Sequence, residues 1–361
     1  MNPLNPWPLE PSNPLIAVLV SGGIDSLVAA HLLKQSGADV TAIHFLTGYE
    51  PEDRAGKLRQ LFGRMDIPVS VFDCRTVFQS NVVDYFTAAY LRGETPNPCM
   101  ACNSRIKFGA CLDYARSLGA DAVATGHYCR VTKDPDGARL WKGADPAKEQ
   151  SYFLAFLSRD QLGRARFPLE GMTKARVRAH AARHGLVPIE RKESRDVCFI
   201  EGLECADFIE AHVPATSGPG PIEDMAGRMI GTHSGLHRFT VGQRRGINCP
   251  AEQPFYVAAL DTARNCLKVG FRQDLFVPAC RVAQVNWIPG RPEGPMNVSV
   301  KIRYNQTEVP ARLTPLGETD AVVEFVTPQF AVAPGQGAVF YDRDAVIGGG
   351  IIRAECEEEK D

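Results

Sequence analysis

The chain has 361 residues, a formal net charge of −2, 44% hydrophobic residues and 23% charged residues. This length exceeds one typical domain, so two or three are expected, and the composition is that of a soluble globular protein. The balanced charge excludes a global basic field, so a nucleic acid would have to bind through a local basic surface.

No apolar run approaches the roughly 18–20 residues that span a bilayer, so no membrane partner is expected. Residues 1–14 read as a polar, proline-rich tail without the basic and apolar regions of a signal peptide. Eleven cysteines, an odd and scattered set, argue against a disulfide framework. We therefore expect a cytoplasmic protein with reduced thiols.

The first structured stretch predicts a strand, a tight turn and a helix. Leu15 to Val20 is an apolar run, Ser21–Gly23 is the turn, and Asp25 to Leu33 has a helical pattern. Glycines let an anion approach the backbone, and unpaired N–H groups at a helix start favour negative charge. The stretch is neither a Walker loop nor a dinucleotide fingerprint. It predicts either a phosphate cradle or an ordinary glycine-rich turn.

Strands and helices then alternate along the chain. Further strands are predicted at 39–45, 69–73 and 121–125, and helices at 52–65, 77–92 and up to 118. This alternation predicts an α/β domain with a parallel sheet covered on both faces, whose ligands lie beyond the carboxyl ends of the strands. Ser21–Ser26 and Gly126-His127 both fall at such ends.

The rest of the chain predicts two smaller domains. Ten basic and four acidic residues lie between Arg159 and Arg195, which is either a solvated helical face or a surface for a phosphate backbone. Breaker-rich residues 214–221 then suggest a linker. We expect a catalytic domain over 15–210, a small β-containing domain over 211–278 and an antiparallel β-barrel over 279–361.

Three cysteines lie in contexts that suggest a site. Cys99 and Cys102 form a C-x-x-C flanked by prolines, which predict a loop. The spacing fits a redox pair, half of a metal site or two structural thiols, but a zinc site would want a second such pair, which the sequence lacks. With Cys198, the set suggests catalytic sulfur chemistry or an iron–sulfur cluster with one iron left open.

Several strings of residues point to a known family. SGGIDS resembles the pyrophosphatase-loop signature of enzymes that cleave ATP to AMP and pyrophosphate. Eight more strings follow in order: NPCMACN-x-x-IKF (97–108), ATGHY (124–128), KEQSYFL (148–154), DVCFI (196–200), TVGQRRG (240–246), KIRY (301–304), PGQ (334–336) and GGGII (348–352). Over residues 15 to 353, the chain closely resembles the tRNA-specific 2-thiouridylases (MnmA/TrmU family).

The resemblance implies a fold and a reaction. The fold would be a doubly wound parallel sheet of the pyrophosphatase-loop (HUP-like) type, then a central tRNA-binding domain and a C-terminal barrel. The enzyme would bind the anticodon arm of a tRNA and use ATP and Mg²⁺ to adenylate O2 of the wobble uridine, position 34. Sulfur from a donor, either sulfide or a persulfide carrier protein, would displace AMP at C2 and leave 2-thiouridine.

The resemblance also assigns residues. The nucleotide would meet Leu19, Val20, Ser21, Gly22, Gly23, Ile24, Asp25, Ser26, Phe45 and Gly126. Asp25 would place Mg²⁺ or orient the loop. The tRNA would meet Asn97, Pro98, Cys99, His127, Lys148, Glu149, Gln150, Arg303, Tyr304 and Gln336. Cys102 would be the nucleophile or sulfur acceptor, and Cys198 the persulfide-bearing or resolving cysteine.

Three positions depart from the usual family pattern. Phe45 stands where a Met is usual, and Glu149 where an Asp is usual. Cys99 replaces an Asp proposed as a general acid/base, and a thiol has an unperturbed pKa of about 8.5, far from that of Asp. The change suggests that Cys99, Cys102 and Cys198 hold a [4Fe–4S] cluster, since soft thiolates favour such clusters.

Other readings stay open. A persulfide relay through Cys102 and Cys198, without a cluster, is the second mechanism. An amidating ligase of the same superfamily is a different function, although the sequence contains no glutaminase-like segment to supply ammonia. A non-catalytic tRNA-binding module is a third, against which the intact Ser21–Ser26 loop argues.

Overall fold

A computed structural model of the chain describes residues 14–189, 197–200, 202–213, 216–288 and 290–354. Most of the predicted tail at 1–14 and part of the basic run, including Arg191, Lys192 and Arg195, lie outside these residues. The chain forms two compact units, one from the residues up to 81, 99–199 and 344–346, and the other from 82–98, 200–343 and the residues after 346. The predicted three-domain boundaries stay a prediction.

Seven strands lie in the first unit: β1 (Leu15–Leu19), β2 (Asp39–Leu46), β3 (Val69–Asp73), β4 (Ala122–Ala124), β5 (Cys129–Asp134), β6 (Gly137–Lys142) and β7 (Ala165–Arg166). Five of them form a parallel sheet in the order β3-β2-β1-β4-β7. The four predicted strands are confirmed. The antiparallel hairpin β5–β6 and the short β7 were not predicted.

Helices connect these strands. The α-helices among the described residues are α1 (Ile24–Gln35), α2 (Arg54–Gly63), α3 (Arg75–Phe78), α4 (Asp84–Leu91), α5 (Pro98–Ala101), α6 (Cys111–Ser117), α7 (Arg159–Arg164), α8 (Lys174–Arg183) and α9 (Cys205–His212). Wider π-helical segments join α3 to α4 (79–83) and α5 to α6 (102–110). The predicted helix at 77–92 is therefore two helices joined by a π-helical segment.

Both faces of the parallel sheet are covered. On one face, Val18 packs with Leu27 of α1 and Phe62 of α2 in a buried cluster. On the other face, α6 contacts β2 and β4, and its Tyr114 stacks on Phe72 of β3 with ring centroids 4.5 Å apart. Side chains alternate between the two faces of a strand, so each strand needs both layers. The predicted doubly wound α/β fold is confirmed.

The loop predicted around the C-x-x-C is wrong. Pro98 begins α5, so Cys99 lies in a helix, and the helical path continues through the π-helical segment that starts at Cys102. Proline suits the first position of a helix, because its fixed φ is helical and its missing N–H would have no partner there. The proline therefore marks a helix start.

The second unit contains a four-stranded sheet and a barrel. Its strands are β8 (Gly220–Glu223), β9 (Met229–His233), β10 (Tyr256–Asp261), β11 (Cys266–Gly270), β12 (Phe276–Trp287), β13 (Met296–Lys301), β14 (Val309–Leu316), β15 (Asp320–Phe330), β16 (Gly337–Asp342) and β17 (Ala345–Ile352). The first four form a mixed sheet in the order β10-β11-β8-β9. The last six close into a barrel, because β12 pairs with both β15 and β17.

The barrel is closed around an apolar core. Val282, Val300, Leu313, Val323 and Phe340 are all 0% exposed and belong to one cluster. One of these residues lies on each of the five strands β12 to β16, so all five strands contribute side chains to the same interior. The predicted antiparallel barrel is confirmed. Among the described residues, no helix is long and apolar enough to cross a membrane.

Candidate functional site

The turn after β1 has the shape of an anion cradle. Gly22 has a φ of +89°, which favours glycine, and a Cβ there would lie 3.1 Å from Ile189. Gly23 precedes α1 and supplies no side-chain cap, so the helix start favours a negative ligand. Ser26 Oγ donates to Gly23 O at 3.0 Å, and Gly23 N donates to Ser21 Oγ at 3.3 Å, which braces the turn.

Neighbouring segments hold this turn from outside. Arg54 Nη1 donates to Ser21 O at 2.8 Å, and Ile189 N donates to Gly22 O at 2.9 Å. The remaining predicted nucleotide residues of this stretch flank the turn: Leu19 and Val20 are buried at the end of β1, and Ile24 is the first residue of α1. The loop is thus fixed in place before any ligand binds.

Asp25, in the first turn of α1, makes two side-chain contacts. Lys174 Nζ, at the start of α8, lies 2.9 Å from Oδ1 and 2.7 Å from Oδ2. The Tyr128 hydroxyl donates to Oδ1 at 2.7 Å. Lys174 is only 8% exposed and Tyr128 only 2%. Both carboxylate oxygens of Asp25 therefore accept hydrogen bonds from the protein itself.

Gly126 brings the end of β4 against the start of α1. A Cβ at this position would lie 2.8 Å from the carbonyl carbon of Asp25 and 3.0 Å from Ser26 N. Such a contact with backbone atoms is too short to exist, so glycine is required by the packing. Phe45 lies half-buried in β2, next to β1 in the sheet. The predicted nucleotide residues thus gather at the carboxyl edge of the sheet.

The segment that follows the hairpin forms hydrogen bonds with the backbones of Lys174 and Tyr128. Tyr128 N donates to Gln150 Oε1 at 3.1 Å, and Gln150 N donates to Tyr128 O at 3.0 Å. Asp145, 8% exposed, accepts from Lys174 N at 2.7 Å and from Ala147 N at 3.0 Å. Segment 145–150 therefore anchors both partners of Asp25.

Predicted tRNA contacts in this unit include buried side chains. His127 is 9% exposed, and its Nδ1 lies 2.7 Å from Thr125 Oγ1. Burial, together with the nearby Lys107 ammonium, holds the pKa of His127 well below its usual value, so the ring is neutral at pH 7. Glu149 is 8% exposed and accepts from a backbone N–H, while Lys148 is half-buried. Contact of these residues with tRNA stays a prediction.

The two cysteines of the C-x-x-C differ in exposure. Cys99 is exposed on α5, and Cys102 is half-buried at the first residue of the π-helical segment. Asn97 and Pro98, which precede them, are half-buried and buried. π-Helical segments are rare and often occur at functional sites. The predicted nucleophile therefore lies at a change of helix type.

Cys198 is held by the residue that follows it. Phe199 is 4% exposed and lies in an aromatic cluster, with its ring centroid 5.8 Å from those of Tyr49 and Phe78. Cys198 itself is exposed. Burying Phe199 fixes the position of the adjacent thiol without burying the whole cysteine residue.

The three thiols influence one another. Burial of the sulfur raises the pKa of Cys102 to about 12; Lys107 opposes this rise, and the charges of Cys198 and Cys99 add to it. Burial, with the charge of Cys99, raises the pKa of Cys198 to about 11. Cys99 and Cys198 are exposed as whole residues, but protein atoms crowd their sulfurs, and this local desolvation also raises the pKa of Cys99. Cys99, Cys102 and Cys198 thus share one neighbourhood and are protonated at neutral pH.

The three cysteines meet the requirements of an iron–sulfur cluster only in part. Three soft sulfur donors are the right chemistry for an Fe–S cluster. In the part of the chain that the structure describes, however, no group of three or more His, Cys, Asp or Glu side chains is placed to hold a metal ion. Holding a cluster would therefore require the three cysteines to rearrange around it.

In the second unit, the predicted tRNA residues hold the backbone. Gln336 Nε2 donates to Thr95 O at 2.7 Å, which fastens the 93–97 segment to the barrel. Arg303 Nη2 donates to Val241 O at 3.3 Å, which joins the barrel to the segment between β9 and β10 of the small sheet. Tyr304 is half-buried. These contacts give Gln336 and Arg303 a structural role, and a role with tRNA stays a prediction.

Comparisons with known proteins cover almost the whole chain. Three family profiles match: the tRNA methyl transferase HUP domain over 15–202, the tRNA methyl transferase PRC-barrel domain over 206–271 and the aminomethyltransferase beta-barrel domain over 277–352. A tRNA-specific 2-thiouridylase MnmA from Desulfosudis oleivorans is 90% identical over 355 residues, which is 98% of this chain and 99% of that one. The chain belongs to the tRNA-specific 2-thiouridylase family.

More distant relatives agree. Proteins of the same name from Geotalea uraniireducens and Rhodospirillum centenum are both 42% identical, and they cover 93% and 96% of this chain and 94% and 93% of their own lengths. The predicted family is confirmed, and it is a family of enzymes.

Two residues of the site have no role in the sequence-based prediction for this family member. The sequence pattern places Lys174 only in a basic run, and Tyr128 only at the end of the ATGHY string. A signal for Lys174 existed: Thr173 caps the start of α8, accepting from Arg176 N at 3.3 Å. A lysine just after a helix N-cap opposes the helix dipole, so a compensating carboxylate is expected nearby.

The packing of Gly126 predicts the effect of adding one methyl group. We expect Gly126→Ala to push the first turn of α1 out of place and to weaken ATP binding roughly 10- to 100-fold, because small displacements of a binding group are costly. Gly163→Ala is the matched control, since a Cβ there meets nothing within 4 Å. Titration calorimetry measures both. Unchanged ATP affinity in Gly126→Ala would contradict this view of the loop.

The raised thiol pKa values predict slow alkylation. At pH 7.5 we expect Cys102 and Cys198 to react with iodoacetamide slower than an ordinary cysteine by a factor on the order of 100, with rates still rising above pH 9. Lys107→Met removes a charge that lowers the pKa of Cys102 and should slow that residue further. Lys57→Met, at an exposed site, is the control. Peptide mass spectrometry follows each cysteine; rapid labelling at neutral pH would refute the prediction.

Proposed function

We propose that this chain catalyses the ATP-dependent replacement of O2 by sulfur in a tRNA uridine, at wobble position 34, giving 2-thiouridine, AMP and pyrophosphate. The relatives carry the name tRNA-specific 2-thiouridylase at 90% and 42% identity. The partners are the anticodon arm of tRNA and a sulfur donor, which is sulfide or a persulfide carrier protein.

The chemistry needs two kinds of group in one enzyme. A uracil carbonyl is unreactive towards sulfur nucleophiles, so its oxygen must first become part of a good leaving group. Transfer of AMP to O2 releases pyrophosphate and achieves this, and Mg²⁺ accompanies the ATP phosphates. A sulfur nucleophile then attacks C2, and AMP leaves with the former carbonyl oxygen.

The identity to these relatives over nearly the whole chain carries the proposal, and the placement of the thiols and of the loop supports it. The cysteines come from distant parts of the chain, yet the charge of Cys198 raises the pKa of Cys102. The phosphate cradle at Gly22 belongs to the same compact unit. Cysteines that only fill the core are buried, whereas Cys99 and Cys198 are exposed, which favours a role in sulfur chemistry. The loop therefore supplies activation, and the thiols supply sulfur.

The thiols must lose their protons before they act. Only the thiolate is a nucleophile or a metal ligand, and burial here disfavours it. Lys107 is the group that lowers the pKa of all three thiols, so it favours the reactive form. At the position of Cys99, where a carboxylate is usual in the family, this chain has a third thiol.

The finer part of the proposal concerns sulfur delivery. Cys99, Cys102 and Cys198 would hold a [4Fe–4S] cluster, which would supply bound sulfide to the activated uridine. Three thiols in one neighbourhood support this. The second mechanism is a persulfide relay, in which Cys102 carries the sulfur and Cys198 resolves the persulfide as a disulfide. That alternative needs only two of the three cysteines.

The reaction can be tested directly. The protein is incubated without oxygen with ATP, Mg²⁺, sulfide and unmodified tRNA, and the digested tRNA is searched for 2-thiouridine by mass spectrometry. We expect 2-thiouridine, and we expect Cys102→Ser to lower its rate by roughly 100-fold or more, as for other nucleophiles. Cys249→Ser, a half-buried cysteine of the other unit, is the control. Pyrophosphate release that requires a small carboxylic acid and no tRNA would instead indicate an amidating ligase.

The cluster has its own test. After anaerobic reconstitution with iron and sulfide, we expect a brown protein with about four irons per chain. Cys99→Asp should lose this iron, whereas Cys249→Ser should keep it. A wild-type protein that stays colourless and iron-free would refute the cluster. A disulfide between Cys102 and Cys198 after turnover with a persulfide donor, which supplies sulfur at the required oxidation level, would then support the relay.

A further inference from the structure

The phosphate cradle contains a negative charge of its own. Asp25 lies in the first turn of α1, two residues after Gly23, where the N–H groups favour an anion. A bare carboxylate there would repel the phosphates of ATP. The following inference rests on the proposed use of ATP by this loop, and it concerns how the chain removes that conflict.

Two side chains hold the carboxylate from the protein side. Lys174 Nζ contacts both oxygens, at 2.9 and 2.7 Å, and the Tyr128 hydroxyl donates to Oδ1 at 2.7 Å. The Lys174 side chain is 10% exposed and that of Asp25 33%. Water screens the nearly buried ammonium little and the partly exposed carboxylate more, so the ammonium offsets much of the carboxylate charge.

These two partners are themselves fixed. Lys174 is the first residue of α8, and its backbone N–H donates to the buried Asp145 at 2.7 Å. Tyr128 packs against Val28 and Val177, and both its backbone groups bond to Gln150. Because the backbones of Lys174 and Tyr128 are held in place, their side chains hold the Asp25 carboxylate at a fixed position.

We propose that Lys174 and Tyr128 are positioning residues that anchor Asp25 and cancel its charge, so that the first turn of α1 can receive the polyphosphate of ATP. Asp25 then orients the loop and does not bind Mg²⁺. Its two oxygens already accept three contacts from the protein. A divalent cation at this carboxylate would also have to approach the Lys174 ammonium, which repels it.

The experiment compares binding of ATP and of adenosine, both with Mg²⁺, to four variants: Lys174→Met, Asp25→Asn, the double variant and Tyr128→Phe. We expect Lys174→Met to weaken ATP binding roughly 10- to 100-fold, because a phosphate then faces an uncompensated carboxylate. Adenosine carries no charge, so its affinity should change little. A purely structural effect of Lys174 would weaken both ligands alike.

The double variant gives the decisive comparison. With both substitutions present the local net charge is again zero, as in the wild type, so the double variant should bind ATP within about 3-fold of the wild type. This holds even where Lys174→Met alone is too unstable to assay, and a thermal melt of each variant shows which case applies. Tyr128→Phe removes one hydrogen bond and keeps the ring, and should weaken ATP binding only about 2- to 10-fold.

Four results would overturn the proposal. The first is unchanged ATP affinity in Lys174→Met, and the second is an equal loss for adenosine. The third is a double variant that binds ATP at least about 10-fold more weakly than the wild type. The fourth is an Asp25→Asn variant whose ATP binding no longer depends on Mg²⁺, as expected for a metal ligand. None of these binding measurements uses tRNA or sulfur. A protein that binds ATP as expected but forms no 2-thiouridine would therefore contradict the proposed function and leave this proposal standing.

Discussion

The ion pair between Asp25 and Lys174 is the contact on which the nucleotide half of the site depends. It joins the first turn of α1 to the first turn of α8, and Tyr128 adds the segment between β4 and β5 to the same carboxylate. The Asp25 side chain is 33% exposed, so removing one partner costs less than the roughly 3–5 kcal/mol of a fully buried pair, but it still leaves a charge without compensation. Gly126 closes the arrangement from the other side, where there is no room for a Cβ. Three elements that are distant in sequence therefore meet at one carboxylate.

Much of the fold could be predicted from local pattern. The strand at Leu15–Leu19 is a continuous apolar run, which a sheet buried on both faces requires, and the turn that follows has glycines where the backbone must turn sharply. The barrel strands gave short apolar alternations separated by turns. These features depend on neighbours within a few residues, so a single sequence contains the information.

The features that escaped prediction depend on distant contacts. A proline pattern predicts a loop at Pro98, although the same ring suits a helix start, and only the packed structure decides between them. Lys174 looks like any surface lysine until α8 is placed against α1. The grouping of the three cysteines by context stays a prediction, whereas the effect of Lys107 on the pKa of Cys102 follows from the π-helical segment that carries both residues. The untested roles in tRNA contact also depend on a partner that the sequence does not contain.

Segment 145–150 supports both Lys174 and Tyr128, so it has a consequence for cooperativity. A displacement of this segment would move Lys174 through its bond to Asp145 and Tyr128 through its bond to Gln150. Both residues contact Asp25, so the carboxylate would move as well. A ligand that shifted the segment would thereby change the affinity of the first turn of α1 for its own ligand. Thermodynamic reciprocity then requires the second ligand to change the binding of the first by the same factor.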